Sequence, residues 1–184
     1  MTTTPSPEQP RPAPTASSPI SLREITAQNF RAVIDLDMRD GQRGSVSSNA
    51  RSLCEAHYSP DAWVRAVYAD DAPGTPVGFL MMSIWDPDAW CSIWRFMIDG
   101  RYQGLGFGPR AVRLAVEHVR ENHPRTRMLR LLSASPEGKA ARGGKPPVEA
   151  RYSPYRFYYK LGFRDVEPID EYGEIEMGLD LQKQ

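Results

Sequence analysis

The sequence predicts an α+β domain, on three observations. Residues 63–68 and 77–85 are rich in β-branched, aromatic and other apolar residues, and the turn Asp70-Asp71-Ala72-Pro73-Gly74 separates them, which is a hairpin pattern. A third strand-like run, residues 90–98, follows at once after Asp86-Pro87-Asp88, so strands cluster early instead of alternating with helices. The longest helical pattern comes only afterwards, with Val112, Ala115, Val116 and Val119 on one face.

The remaining elements fall around these. Residues 20–25 read as a first strand, and Thr26 can cap a helix that carries Phe30, Val33, Ile34 and Asp37 at helical spacing. Ala50, Leu53, Cys54 and His57 predict a second helix, closed by Ser59-Pro60. The helix after residue 108 should stop before Pro124, and residues 128–133 form a buried strand by their apolar content. Tyr155, Tyr158, Tyr159 and Leu161 fit a short helix ended by Gly162. Residues 163–166 and 175–181 close the fold as strands. Trp63, Trp85, Trp90 and Trp94 sit in strand segments and are expected in the core, although aromatic faces can also meet a cation.

The chemistry concentrates in Arg101-Tyr102-Gln103-Gly104-Leu105-Gly106-Phe107-Gly108, between the third strand run and a helix that starts near Pro109. Glycines at alternate positions leave the backbone open to close approach, and amides at a helix start favour phosphate. Proline suits the first helical turn, where its missing N–H costs nothing. A nucleoside-triphosphate loop needs Lys-Ser or Lys-Thr after its last glycine, but Pro109-Arg110 follow here. A dinucleotide fingerprint needs Gly-x-Gly-x-x-Gly, whereas Gly104, Gly106 and Gly108 alternate.

The run from Gln103 through Gly106 to Gly108 does match Gln/Arg-x-x-Gly-x-Gly, and in this the chain resembles the GNAT N-acetyltransferase superfamily. About fifty residues on, Phe157-Tyr158-Tyr159-Lys160-Leu161-Gly162-Phe163 resembles that superfamily's late helix, with a tyrosine four residues before Gly-Phe. The segment Trp94-Arg95-Phe96-Met97-Ile98-Asp99, with Gln42, Ser52-Leu53 and Glu55, looks like the bacterial spermine/spermidine (diamine) acetyltransferase branch. The likeness covers about residues 20 to 181. It implies a mixed sheet splayed between its fourth and fifth strands, with acetyl-CoA in the gap. Gln103, Gly104, Leu105, Gly106, Phe107 and Gly108 would hold the pyrophosphate, and the backbone of Phe96, Met97 and Ile98 would pair with the pantetheine arm. It also implies an enzyme acting on a small amine, and a possible homodimer. A soluble, cytoplasmic protein is expected separately, because the sequence has neither an apolar run of membrane-spanning length nor a signal-peptide core.

The implied reaction is acyl transfer from a thioester to an amine. A thiol of pKa about 8.5 leaves more readily than an amine, so no covalent enzyme intermediate is required. An alkyl amine of pKa about 10.4 is neutral in only about one molecule in 2,500 at pH 7, a cost of roughly 4–5 kcal/mol. A base or ordered water must therefore remove a proton, and Tyr158 can supply one to the departing thiolate. At the fourth-strand position where some polyamine enzymes carry a glutamate, this chain has Trp94. The base candidates are then Glu55, placed first by its segment, Asp37, Glu174 or a water chain. The acceptor is expected to be a polyamine or small diamine. The alternatives are an amine-bearing antibiotic, natural product or peptide, or a non-catalytic acyl-CoA sensor.

Composition narrows the partners. Twenty-three basic and twenty-three acidic residues cancel in 184, so no net field draws the chain to nucleic acid or an anionic membrane. No apolar run approaches the length of a membrane span. Cys54 and Cys91 make no disulfide framework, and with His57, His118 and His123 they show no metal-ligand spacing. Residues 1–19 hold six of the 17 prolines and no large apolar residue after Met1, and are expected to be a mobile tail before a domain over residues 20–184. Residues 136–147 are a second soft stretch, in which Lys139, Arg142 and Lys145 read as a solvated loop that could lie near phosphates.

Overall fold

A computed structural model describes residues 12–43, 45–139 and 147–182. The elements run β1 (Ile20–Arg23), α1 (Phe30–Ile34), α2 (Asn49–His57), β2 (Ala62–Ala69), β3 (Pro76–Trp85), β4 (Trp90–Ile98), α3 (Phe107–Asn122) and β5 (Met128–Ala134). A two-residue pair follows, β6 (Gly138–Lys139) and β7 (Val148–Glu149), then α4 (Tyr155–Lys160), β8 (Arg164–Asp165) and β9 (Glu174–Asp180). Residues 1–11 of the expected tail, and Arg142 and Lys145, lie outside the described residues.

Seven strands form one mixed sheet in the order β1-β2-β3-β4-β5-β9-β8. Every neighbouring pair is antiparallel except β4 and β5, which run parallel because α3 carries the chain across between them. That parallel pair has only three matched positions: Cys91 with Leu129, Ser92 with Arg130, and Ile93 with Leu131. Past Ile93 and Leu131 the strands separate, while β3 continues to pair β4 as far as Ile98 and β9 pairs β5 as far as Ala134. The sheet therefore opens into a V between its fourth and fifth strands, as the resemblance implied. At the apex, Met81 pairs Arg95 but Met82 pairs Ile93, so Trp94 is an extra residue in β4. Such a bulge bends a strand, and here it turns β4 away from β5.

The sheet buries both faces of its first half. On one face α3 sets Val112, Ala115, Val116 and Val119 against Leu80, Met82, Ile93 and Leu131. On the other, Val33 and Leu36 pack with Leu53 against Ala66, Phe79, Met81 and Met97. Of the tryptophans, only Trp63 joins this packing, stacked on His118 at 4.2 Å between ring centres. Trp85, Trp90 and Trp94 are 45%, 41% and 39% exposed, against the expectation of burial. The reason is strand alternation. Cys91 and Ile93 face the core under α3, which turns Trp90 and Trp94 to the opposite face. The packing with α1 and α2 reaches only the stretch of that face around Ala66, Phe79, Met81 and Met97, away from the end of β3 and the start of β4.

Two boundaries move for local reasons. The first helix is a single turn, so Asp37 lies beyond it, while α3 begins at Phe107 with Gly106 as its N-cap. Residues ahead of β1 contact the domain. Ser18 is fully buried, and the Arg110 guanidinium donates to the carbonyls of Ser18 (2.7 Å) and Ala16 (3.3 Å).

Candidate active site

The V holds a cavity of about 750 Å³. One wall is β4 from Ile93 to Ile98, the other is β5 from Leu131 to Ala134. The glycine loop closes one end, α4 contributes Phe157 and Tyr158, and Met38, Gln42 and residues 45–47 form a further side.

The loop is shaped from beneath by Asp99. Its side chain is buried, accepts the Arg101 N–H (2.9 Å) and is gripped by the Arg101 guanidinium at 2.7 and 2.9 Å. It also accepts the Asp37 N–H at 3.1 Å, and its own carbonyl accepts the N–H groups of Tyr102 and Gln103. Burial alone would raise this carboxyl pKa, but the Arg101 guanidinium and the two amides outweigh it and hold the group below its usual range. Asp99→Asn turns an amide NH₂ toward groups that are themselves donors. We expect it to cost roughly 1–3 kcal/mol of stability in urea unfolding and to weaken coenzyme A binding about tenfold by calorimetry.

With Asp99 setting the turn, Gly104 and Gly106 adopt φ of +90° and +78°, a backbone that favours glycine. A Cβ built at either would meet nothing within 4 Å among the described residues beyond its chain neighbours, so the loop presents bare backbone at the start of the 16-residue α3. Orphan amides and the helix dipole together make that position a phosphate site. At Gly108 a Cβ would stand 3.2 Å from the Phe157 ring, so the last glycine lets α3 close on α4. The geometry fits a pyrophosphate at the loop and an extended amide chain along the β4 edge that has no β5 partner beyond Ile93.

Tyr158 is fixed by the way its helix ends. Gly162 takes φ +99°, the Phe163 N–H returns to the Tyr158 carbonyl (3.2 Å) and the Gly162 N–H to Tyr159 (3.1 Å). This is a left-handed cap whose usual apolar contact is present, with the Tyr158 and Phe163 rings 5.6 Å apart. The side chain is buried and lines the cavity, and burial alone, with no hydrogen bond to a described residue, acts on its hydroxyl. Burial pushes the phenol pKa up, so the group stays protonated.

Phe96, Met97, Ile98, Gln103, Gly104, Gly106, Phe107, Gly108 and Tyr158 thus all line one cavity. Leu105 instead packs toward Ile98, Phe107 and Ala111. Glu55 lies on α2 outside the cavity lining, and its carboxylate is shared by Arg51 at 2.7 Å and by Arg95. Those two guanidinium groups, Arg51 first, hold its pKa below the usual carboxylate value. Asp37 likewise lies off this cavity, paired with Arg43 at 2.9 Å. Among the three carboxylates considered as bases, Glu174 alone lines the cavity. Sequence reasoning did not reach Ser153, whose hydroxyl donates to the Ala134 carbonyl (2.8 Å) at the cavity wall, nor the anchoring part of Asp99. For Asp99 a signal existed: an aspartate two residues before a turn amide is a recurrent turn former.

Among the described residues no group of three His, Cys, Asp or Glu is placed to hold a metal, and no helix is long and apolar enough to cross a membrane. Comparison with known proteins agrees with the geometry. The family model for GNAT acetyltransferases matches residues 30–163. The spermine/spermidine N(1)-acetyltransferase of Bacillus subtilis is 30% identical over 114 residues, covering 55% of this chain and 69% of that one. Among solved structures, a chimera based on the Vibrio cholerae spermidine N-acetyltransferase superposes with a TM-score of 0.62 at 14% identity, over 88% of this chain and 95% of its own. An aminoglycoside 6'-N-acetyltransferase complexed with coenzyme A gives 0.63 at 17%, over 90% and 98%. With a V-shaped gap, a bare-backbone loop at a helix start and a matching family model over most of its length, the chain belongs to the GNAT acetyltransferase family and is an N-acetyltransferase of the kind that uses acetyl-CoA.

Proposed function

We propose that the protein transfers an acetyl group from acetyl-CoA to a primary amine of a polyamine or other small diamine, by direct attack while both are bound. The observation that carries this reading is the continuity of the cavity, which runs from the glycine loop to Tyr158 without a break. The names of the sequence relatives support the acceptor class.

Bound acetyl-CoA supplies a thioester whose thiol, of pKa about 8.5, is a good leaving group. The amides from Gly104 to Gly108 take the phosphates, with Gln103 shaping the loop through its own bonds, and the open edge of Phe96, Met97 and Ile98 holds the amide arm. Tyr158, buried at the apex side, donates its O–H to the sulfur as charge develops there. Because burial raises its pKa above the thiol's, it stabilises the sulfur chiefly as a hydrogen-bond donor and keeps its proton.

For the base, the double ion pair makes Glu55 a weak proton acceptor, and we assign its negative charge to holding Arg95 in β4. Glu174, on the cavity wall, takes the amine proton directly or through water. Glu174→Gln should then lower kcat/KM about 10²-fold at pH 7 and less at pH 10, where more of the amine is already neutral, while Glu55→Gln should change it less than about fivefold. A loss of that size in Glu55→Gln, with Glu174→Gln close to wild type, would return the base to Glu55.

The second reading, an amine on an antibiotic, natural product or peptide, is favoured by one feature. Arg95 lines the cavity and Glu174 is the one acidic side chain doing so among the described residues, which is sparse provision for a polycation. Thiol release from acetyl-CoA over a panel of amines, with products read by mass, separates the readings. We expect acetylation of a terminal amine of spermidine or a diamine. Turnover only with larger amines would select the second reading, and tight coenzyme A binding without any turnover would select a sensor. The homodimer is tested by sedimentation, where a single species of twice the 20.7 kDa chain is expected.

A further inference from the structure

The phosphate loop and the opposite side of the cavity are tied together by a small set of hydrogen bonds. The Gln103 side-chain Nε2 donates to the Ile98 carbonyl at 2.9 Å and to Gln42 Oε1 at 2.7 Å. Arg39 donates to the carbonyls of Gly100 (3.3 Å) and Gln103 (3.2 Å). The Gly100 N–H donates to the Asp37 carbonyl at 2.8 Å. Gln42 ends a single 3-10 turn, Asp40–Gln42, and the residues that follow it, 45–47, line the cavity together with Met38.

The orientation of this junction is fixed by chemistry. A backbone carbonyl accepts only, so the Ile98 oxygen forces Gln103 to present its NH₂ there. Both Nε2 protons are then committed, one to Ile98 and one to Gln42, and Gln42 must offer its oxygen. Any movement of the loop as its amides close on a phosphate is therefore passed to the turn that carries the facing wall. Arg39 and Asp37 join the same two segments but through backbone carbonyls, which hold the segments close without setting the Gln42 side chain.

We propose that Gln42 is a positioning residue that couples loading of the phosphate loop to the arrangement of the 38–43 and 45–47 wall, so that cofactor binding prepares the acceptor side of the cavity. The proposal rests on the reading that acetyl-CoA occupies this cavity. A coupling of this kind typically changes the second ligand's affinity 5–150-fold, and it acts equally in both directions.

Hydrogen–deuterium exchange on the full chain, with and without saturating coenzyme A, tests it. Wild type should show exchange of the wall segments slowed at least about fivefold by coenzyme A, the low end of that coupling range. Gln42→Ala should lose most of that slowing while binding coenzyme A within about threefold of wild type, since no phosphate contact is removed. Gln42→Glu keeps an oxygen facing the Gln103 amide and should restore the slowing, which a general packing role would not predict. Undiminished protection in Gln42→Ala would mean that the ligand touches the wall directly and would overturn the proposal. So would coenzyme A binding to wild type with no protection of the wall. If coenzyme A did not bind wild type at all, the cofactor reading itself would fall, and the coupling with it.

Discussion

Replacing Tyr158 by Phe should lower kcat about 10²-fold, with coenzyme A affinity within about threefold of wild type. The size follows from the role proposed for the phenol. A donor whose pKa lies above that of the thiol gives a hydrogen bond to the leaving sulfur rather than full proton transfer, which places the loss at the lower end of general-acid effects. Stability should move by less than about 1 kcal/mol, because the ring contact with Phe163 and the left-handed cap at Gly162 do not involve the hydroxyl. Stopped-flow turnover and urea unfolding on one preparation check both halves. A variant with wild-type single-turnover rates would remove Tyr158 from the chemistry. The pH profile carries the same point. Burial shifts the phenol upward, so its proton is retained at higher pH than in water. The rate should therefore keep rising to about pH 10 as the amine loses its proton, with no falling limb from tyrosine ionisation.

Gly106→Val should weaken coenzyme A binding by about 10²-fold, measured by calorimetry. Two effects add. At φ +78° a β-branched residue is strained by about 1–3 kcal/mol, and the added methyls occupy the space into which the loop amides point. Among the described residues, chain neighbours aside, nothing lies within 4 Å of the new Cβ, so no internal clash with them confuses the result. Gly106→Asn separates the two effects, since asparagine tolerates the left-handed conformation yet still fills the site. It should fold close to wild type and still bind weakly. Wild-type affinity in both variants would show that the phosphates lie elsewhere.

What the sequence made legible was local. The alternate glycines, Pro109 inside the first turn of α3, and Gly162 after the aromatic helix each depend on neighbours within a few residues, and each stands where expected. Strand segments were equally readable, since alternation is a short-range signal. The splay of β4 from β5 came from the family resemblance. In the structure its physical cause is the extra residue at Trp94, which no periodicity announces. The joints that hold the loop to the rest of the cavity were not legible at all. Gln42 meets Gln103 across 61 positions and Asp37 meets Asp99 across 62, so spacing carries no trace of them. The Arg95 clamp on Glu55 spans residues equally far from any local pattern, and Arg51 with Arg95 holds that carboxyl below its usual pKa. The three outer tryptophans were misplaced for a related reason: strand character was clear, but which stretch of the face the helices cover is a tertiary property.

A crystal structure with coenzyme A bound tests the central claim most directly. The pyrophosphate should accept hydrogen bonds from main-chain amides between Gly104 and Gly108 at about 2.7–3.2 Å, with the pantetheine arm along Phe96–Ile98 and the thiol pointing toward Tyr158. A ligand whose phosphates touched none of those amides, or whose arm lay outside the gap between β4 and β5, would contradict it.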